Sequence, residues 1–91
     1  MEIGQVVFSK RGRDKGLAFV VMSVEGEYVF LTDGRIRPLN KLKKKKARHT
    51  QPTNTIVSLE PNASGLKDAD IRKWLLEFLM KEEVSSCQRT M

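Results

Sequence analysis

The chain has 91 residues, 40% of them hydrophobic and 31% charged, which suits one small soluble domain and leaves no room for two independent cores. No apolar run approaches the roughly 18 residues that a membrane span needs, and the N-terminus has no basic region followed by an apolar stretch. The single cysteine, Cys87, cannot build a disulfide framework or a zinc site alone. We therefore expect a cytoplasmic protein without a membrane segment, held together by its hydrophobic core.

Basic residues are concentrated in the first half of the chain. Seventeen Lys and Arg against 11 Asp and Glu give a net charge of +6, which points to a polyanionic partner. Residues 1–50 carry 12 basic and 5 acidic side chains, a net of +7, whereas residues 51–91 carry 5 basic and 6 acidic ones, a net of −1. The first half is therefore the candidate binding module, and the second half is a support or a partner surface.

The first two predicted strands flank a charged loop. Residues 3–8 are β-branched and aromatic, which predicts a strand. Residues 17–24 are nearly all apolar, which predicts a strand that is buried on both faces or sharply bent. Between them, residues 9–15 contain one glycine and five charges, so they form a turn or tight loop.

Two glycine-containing turns introduce the next strands. Glu25-Gly26 is a hairpin signal before a third strand at 28–31. Asp33-Gly34 is a type I′ turn signal before a short, half-exposed fourth strand at 35–37. A fifth strand is expected to begin near Arg48, and the β-prone character continues to residue 59.

The last part of the chain predicts a linker, a helix and a tail. Residues 61–67 have the composition of a linker. One apolar stripe of a helix predicted over 68–83 is formed by residues at i, i+3, i+4, i+7 and i+8, namely Ile71, Trp74, Leu75, Phe78 and Leu79. A single amphipathic helix of this length is not stable alone, so the stripe must be buried on the strands or on a partner. Residues 84–91 lack periodicity and are expected to be a flexible tail.

The strands carry a recognisable glycine–valine pattern. It consists of a Gly-x-Val opening, a Gly-x-x-x-Gly loop and a later aromatic–glycine pair, at Gly4, Val6, Gly12, Gly16, Val20, Phe30 and Gly34, followed by the run 38–42. In these features the first 55 or so residues resemble the KOW family of SH3-like barrels. They are similar to the KOW barrel of archaeal and eukaryotic large-subunit ribosomal proteins and to stand-alone bacterial KOW proteins described as RNA-binding. The tail helix is not part of that motif.

The resemblance and the strand pattern give one expected fold. Five short strands with tight turns favour a small barrel over an open sheet. We predict a mainly β protein, with a five-stranded SH3-like barrel over residues 1–60 followed by one C-terminal amphipathic α-helix. In this motif Gly4, Gly12 and Gly16 serve backbone geometry, since Gly12 and Gly16 flank a turn that requires positive φ or close backbone approach.

Cationic side chains are the candidate RNA contacts. Four of them project from the loop after the first strand, where Asp14 is the single acid and is expected to clamp the turn. Two more alternate along the predicted fourth strand, and seven cationic or potentially cationic groups fall in residues 41–49. The predicted RNA-binding residues are Lys10, Arg11, Arg13, Lys15, Arg35, Arg37, Lys41, Lys43, Lys44, Lys45, Lys46, Arg48 and His49.

The 41–49 run is the strongest functional signal. Its charges repel one another unless a polyanion supplies counter-charge, so affinity for RNA should fall steeply with salt. Such a run can also be a solubilising face, or an arm that becomes ordered on RNA. Aromatic residues make up 7% of the chain, too few for a platform that stacks several bases. Phe8, Phe19 and Phe30 are expected in the core, and core packing is also favoured over base stacking for Tyr28.

The residues do not assemble into a catalytic constellation, a metal site or a phosphate-binding P-loop, so we expect neither an enzyme nor a cofactor. The leading hypothesis is a monomeric, ribosome-associated protein of translation that docks on structured RNA, most of all ribosomal RNA. The alternative is a protein-interaction module, an accessory of transcription or translation that uses the barrel and a helix surface of Ile71, Trp74 and Phe78. The sequence leaves open which RNA is bound, whether DNA is also bound, and whether ribosome association is permanent.

Overall fold

The computed structural model describes residues 1–57 and 65–90 of the chain, with side chains described as far as Met80. Five strands, one 3₁₀ helix and one α-helix follow in the order β1 (Gln5–Ser9), β2 (Ala18–Glu25), β3 (Tyr28–Thr32), β4 (Lys43–Lys46), the 3₁₀ helix (Ala47–His49), β5 (Thr50–Ile56) and α1 (Asp68–Thr90). The strands form one sheet in the order β4-β3-β2-β1-β5, and every neighbouring pair is antiparallel. The prediction of a mainly β fold with five strands and a C-terminal helix is confirmed.

The sheet is open, and the prediction of a closed barrel is wrong. Closure would require β4 and β5, the first and last strands of the sheet order, to pair with each other. β5 carries Pro52, which has no backbone N–H, and β4 consists of four lysines, so both edges hold residues that discourage further pairing. The helix α1 covers one face of the sheet instead.

The prediction of a fourth strand at 35–37 is also wrong, because these residues form a turn. One carboxylate oxygen of Asp33 accepts hydrogen bonds from the backbone N–H groups of Arg35 and Arg37, both at 2.9 Å. The backbone N–H of Asp33 donates to the carbonyl of Arg37 at 3.1 Å, which closes this segment into a turn. The fourth strand is Lys43–Lys46, and it pairs with β3 from Leu31 opposite Lys43 to Tyr28 opposite Lys46.

The strand β2 is buried on both faces, as its nearly continuous apolar run predicts. Val20 belongs to a cluster with Val6 and Ala18 that lies beneath α1. Phe19 and Val21 belong to a second cluster, whose other members are Val7, Val29 and Leu31. Because successive side chains of a strand point to opposite faces, one strand supplies both halves of the core.

The helix α1 buries its apolar stripe on the sheet, which answers the question the sequence left open. Ile71, Leu75 and Phe78 are buried, Trp74 is partly buried against the same cluster, and Leu79 stays exposed. The Phe78 ring lies 5.8 Å from the ring of Phe8, centroid to centroid. This packing holds the helix on the face formed by β1 and β2.

The first turn of α1 is also fastened by hydrogen bonds. A carboxylate oxygen of Asp68 accepts the backbone N–H of Leu39 at 2.7 Å, and Arg72 Nη1 donates to the carbonyl of Gly34 at 2.7 Å. The helix begins where predicted and extends beyond the predicted end.

Most of the predicted linker 61–67 lies outside the described residues, and the flexibility of 84–91 stays a prediction. Within the described part, no helix combines the length and the apolar character needed to cross a membrane.

Candidate nucleic-acid interface

The three motif glycines have left-handed backbone conformations. Gly4, Gly12 and Gly16 have φ values of +89°, +88° and +87°, which side chains rarely tolerate. At Gly4 a Cβ would also lie 2.5 Å from the carbonyl oxygen of Val57, so close backbone approach excludes a side chain there. As expected, these glycines shape the backbone.

Asp14 fastens the loop of residues 10–16 to β4. Its Oδ1 accepts hydrogen bonds from Ser9 Oγ at 2.9 Å and from Lys45 Nζ at 3.2 Å. Its Oδ2 lies 3.2 Å from Lys43 Nζ, an ion pair that lacks the alignment of a hydrogen bond. Lys45 Nζ also donates to the carbonyl of Arg11 at 2.7 Å. Asp14 was expected to stabilise only its own turn, but it also joins the loop to β4, which is about 30 residues further along the chain.

The environment of Asp14 keeps it ionised. Burial acts to raise the pKa of Asp14, but the hydrogen bonds from Ser9 and Lys45 and the positive charges of Lys45 and Lys43 outweigh it, and the pKa falls from 3.8 to about 2. The exposed fractions of the two side chains, 14% for Asp14 and 10% for Lys45, show that this contact is largely shielded from water. Two of the predicted RNA-binding lysines therefore also hold the loop in place.

β4 divides its lysines between two faces of the sheet. Since strand side chains alternate, the two lysines that meet Asp14 lie on one face, and Lys44 and Lys46 lie on the other. Lys44 Nζ sits 4.5 Å from the centroid of the Tyr28 ring, a cation–π contact. Tyr28 and Phe30 are half-buried and belong to neither core cluster, so the expectation that they are core residues is wrong.

Cations from three segments converge on His49. The backbone N–H of Lys10 donates to the carbonyl of His49 at 2.8 Å, which joins the loop to the 3₁₀ helix. Desolvation, followed by the positive charges of Arg11, Arg48 and Lys46, lowers the pKa of His49 below its usual 6.5. His49 is therefore harder to protonate than an ordinary imidazole, and it lies within a cationic surface.

We name this surface the basic face. It wraps around the β4 edge of the sheet, because β4 presents lysines on both of its sides, and it consists of the cationic side chains of the loop, of β4 and of the 3₁₀ helix, together with His49. Its members are Lys10, Arg11, Arg13, Lys15, Lys43, Lys44, Lys45, Lys46, Arg48 and His49. Lys41 precedes β4 in an exposed turn.

The two arginines of the 33–37 turn, Arg35 and Arg37, line two different cavities. Arg37 lines a cavity of about 210 Å³ together with Arg13 and Lys43 of the basic face. Arg35 lines a separate cavity against α1, beside Arg72. The two arginines therefore do not share one strand face, as the sequence predicted, because the segment that carries them is a turn.

Sequence analysis missed the part that two side chains play in shaping this surface. Ser9 donates its hydroxyl to Asp14, and Asp33 organises the turn that positions Arg37. The Asp-Gly pair was a recognisable signal for the second of these, since Asp side chains commonly accept backbone N–H groups a few residues ahead. No local signal marks Ser9.

Among the described residues, no group of three or more His, Cys, Asp or Glu side chains is placed to hold a metal ion.

Comparison with known proteins adds no relative: no protein-family model matches the chain, and no curated protein matches it. The likeness to the KOW family therefore rests on the motif residues alone.

Proposed function

We propose that the protein binds structured RNA, in particular ribosomal RNA, through the basic face. The observation that supports this proposal best is the convergence of two basic segments that are distant in sequence. The loop and the β4–3₁₀ segment are joined by the bonds from Lys10 to His49 and from Lys45 to Arg11. The carboxylate between them, Asp14, is largely buried, so the outward charge is positive.

Electrostatic capture is the mechanism this surface favours. Lysines and arginines that neutralise phosphates release condensed counterions, and that release supplies most of the affinity. Contacts to phosphates position a protein on RNA without reading its sequence. The one described aromatic ring in cation–π contact with a lysine of this face, Tyr28, is partly covered by Lys44, which disfavours a stacking platform. Recognition of shape and backbone is therefore the proposed mode, with a role in translation as the expected setting.

The alternative function, a protein-interaction module, loses two of its three contact residues in this fold. Ile71 and Phe78 are buried against the sheet and cannot reach a partner while α1 is docked. Trp74 is partly buried in the same cluster. These side chains hold the helix on the sheet, so RNA binding is the function that the surface supports better.

A pair of matched double variants tests the proposal. Lys44→Ala with Lys46→Ala removes two charges from β4, and the α1 variant, Lys67→Ala with Lys73→Ala, removes one exposed charge just before α1 and one within it. Binding is measured by fluorescence anisotropy with a labelled large-subunit rRNA hairpin, from about 50 to about 200 mM salt. We expect the β4 variant to lose affinity and to reduce the salt slope by about 1 for each lost phosphate contact. We expect the α1 variant to bind like the original protein.

Two results would contradict the proposal. Equal losses in both double variants would mean that net charge, and not this surface, determines binding. Absence of binding at low salt would exclude RNA altogether. The ribosomal part is tested by co-sedimentation on sucrose gradients, where we expect migration with the large subunit at low and at moderate salt. Release at low salt would remove the ribosome from the proposal.

A further inference from the structure

We propose that the cavity between the loop and the 33–37 turn binds one unpaired RNA base, an inference that rests on the proposed RNA-binding function. We name this cavity the loop–turn pocket. Its volume is about 210 Å³, and its lining includes Arg13, Asp14 and Leu17 together with Asp33, Ile36 and Arg37 of the turn. This volume is smaller than the roughly 300–1,000 Å³ of sites for drug-sized ligands, so it suits a single ring system.

The interior of the loop–turn pocket is apolar. Its apolar lining residues are Phe19, which is buried, and Leu17 and Ile36, which are 46% and 76% exposed. Ile36 is the most exposed large hydrophobic side chain among the described residues. A flat aromatic base placed between such side chains would remove apolar surface from water on both sides.

The rim of the pocket is cationic, and its two arginines are available. Within the part of the chain that the structure describes, the guanidinium groups of Arg13 and Arg37 make neither hydrogen bonds nor ion pairs. Lys43 lies beside them, on β4. Guanidinium groups can stack on bases and form paired hydrogen bonds with phosphate. A base in the pocket would therefore have its flanking phosphates within the same cationic rim.

The two acidic residues of the lining are already engaged in the fold. Asp33 accepts two backbone N–H groups through Oδ1, and Asp14 is paired with the lysines of β4. The ligand that fits this combination is aromatic and anionic, as a nucleotide is. Because Arg13 and Lys43 also belong to the basic face, the rest of the RNA chain would continue onto that surface. This continuity favours a base within RNA over a free nucleotide.

A bulged RNA duplex tests the assignment directly. One duplex carries a single bulged 2-aminopurine, and its partner carries the same fluorescent base paired with uracil. We expect the protein to bind the bulged duplex roughly tenfold more tightly, with a change of 2-aminopurine fluorescence as the base enters the pocket. Ile36→Ser should abolish this preference and leave folding intact, because Ile36 is an exposed turn residue. The matched variant Leu76→Ser, on an exposed position of α1, should keep it.

The outcomes separate this inference from the proposed function. Equal, salt-sensitive binding of both duplexes would overturn the base pocket and leave the basic face standing, and so would an unchanged preference in Ile36→Ser. Failure to bind either duplex at low salt would overturn both proposals. Competition by adenosine monophosphate as effective as that by the bulged duplex would replace the RNA base with a free nucleotide. Circular dichroism of each variant confirms that it is folded.

Discussion

Replacement of Asp14 by Asn measures how strongly the loop of residues 10–16 is attached to β4. The amide keeps an oxygen that can accept the Ser9 hydroxyl, but it removes the negative charge that pairs with Lys43 and Lys45. Both ammonium groups, each 3.2 Å from a carboxylate oxygen in the structure, would then lack counter-charge. We therefore expect Asp14→Asn to be folded and less stable.

The lowered pKa of Asp14 sets the size of the effect. A fall from 3.8 to about 2 corresponds to about 2 kcal/mol of folding stability at neutral pH. Because the Lys43 side chain is 24% exposed, solvent screens part of this interaction and reduces the figure to about 1–2 kcal/mol. For a domain of this size the melting temperature should fall by roughly 5–15 °C. Since the pKa is lower in the folded state, this stability is present above about pH 4 and is lost as the pH falls towards 2.

Urea unfolding followed by tryptophan fluorescence provides the assay. Trp74 is the single tryptophan and is partly buried between α1 and the sheet, so its emission reports the docked fold. The control is Glu77→Gln, which removes the same charge from an exposed position of α1. At pH 7 we expect Asp14→Asn to be less stable than the control, and near pH 2 we expect less than half of that difference. Equal stability at pH 7, or a difference that is unchanged near pH 2, would refute the reasoning.

Three further predictions concern the helix and the basic face. Gly34→Ala should lower the free energy of unfolding by about 1–3 kcal/mol in urea titrations, since φ is +73° and the new Cβ would lie 2.5 Å from the Asp68 carbonyl; an unchanged value would contradict this. Ile71→Ala should cost about 2–5 kcal/mol in the same assay by opening a cavity under α1, and a loss below 1 kcal/mol would argue against tight packing there. In an NMR titration His49 should have a pKa below 6.5 that rises when RNA is added, and a constant pKa would place RNA away from it.

Much of the fold could be predicted because its signals are local. The apolar run of β2 implied burial on two faces, and Phe19 and Val20 do lie in different clusters. The helical spacing of Ile71, Leu75 and Phe78 selected the side chains that α1 buries. Helical and strand periodicities depend on neighbouring residues alone, so they are readable without knowledge of distant contacts.

The errors arose where a long-range or side-chain contact decides the structure. Arg35-Ile36-Arg37 alternates like a strand, yet the Asp33 carboxylate captures the backbone N–H groups of both arginines and closes a turn. Four consecutive lysines have low strand propensity, yet Lys43–Lys46 is a strand because it pairs with β3 and meets Asp14. The open sheet likewise depends on α1 covering one face, which strand counting does not reveal.

In the candidate site, too, the sequence predicts which residues are cationic, but long-range contacts determine where each side chain lies. Composition identifies the cations of the basic face, but it does not distinguish among the four lysines of β4. In the strand they are not equivalent, because successive side chains point to opposite sides. Lys43 and Lys45 pair with Asp14, whereas Lys44 and Lys46 lie on the opposite side. A count of basic residues therefore overestimates the phosphate contacts, because part of that charge is neutralised within the fold. The measured salt slope should accordingly be smaller than the charge of the 41–49 run implies, and it should increase in Asp14→Asn, where the two lysines lose their internal counter-charge and become free to pair with phosphates.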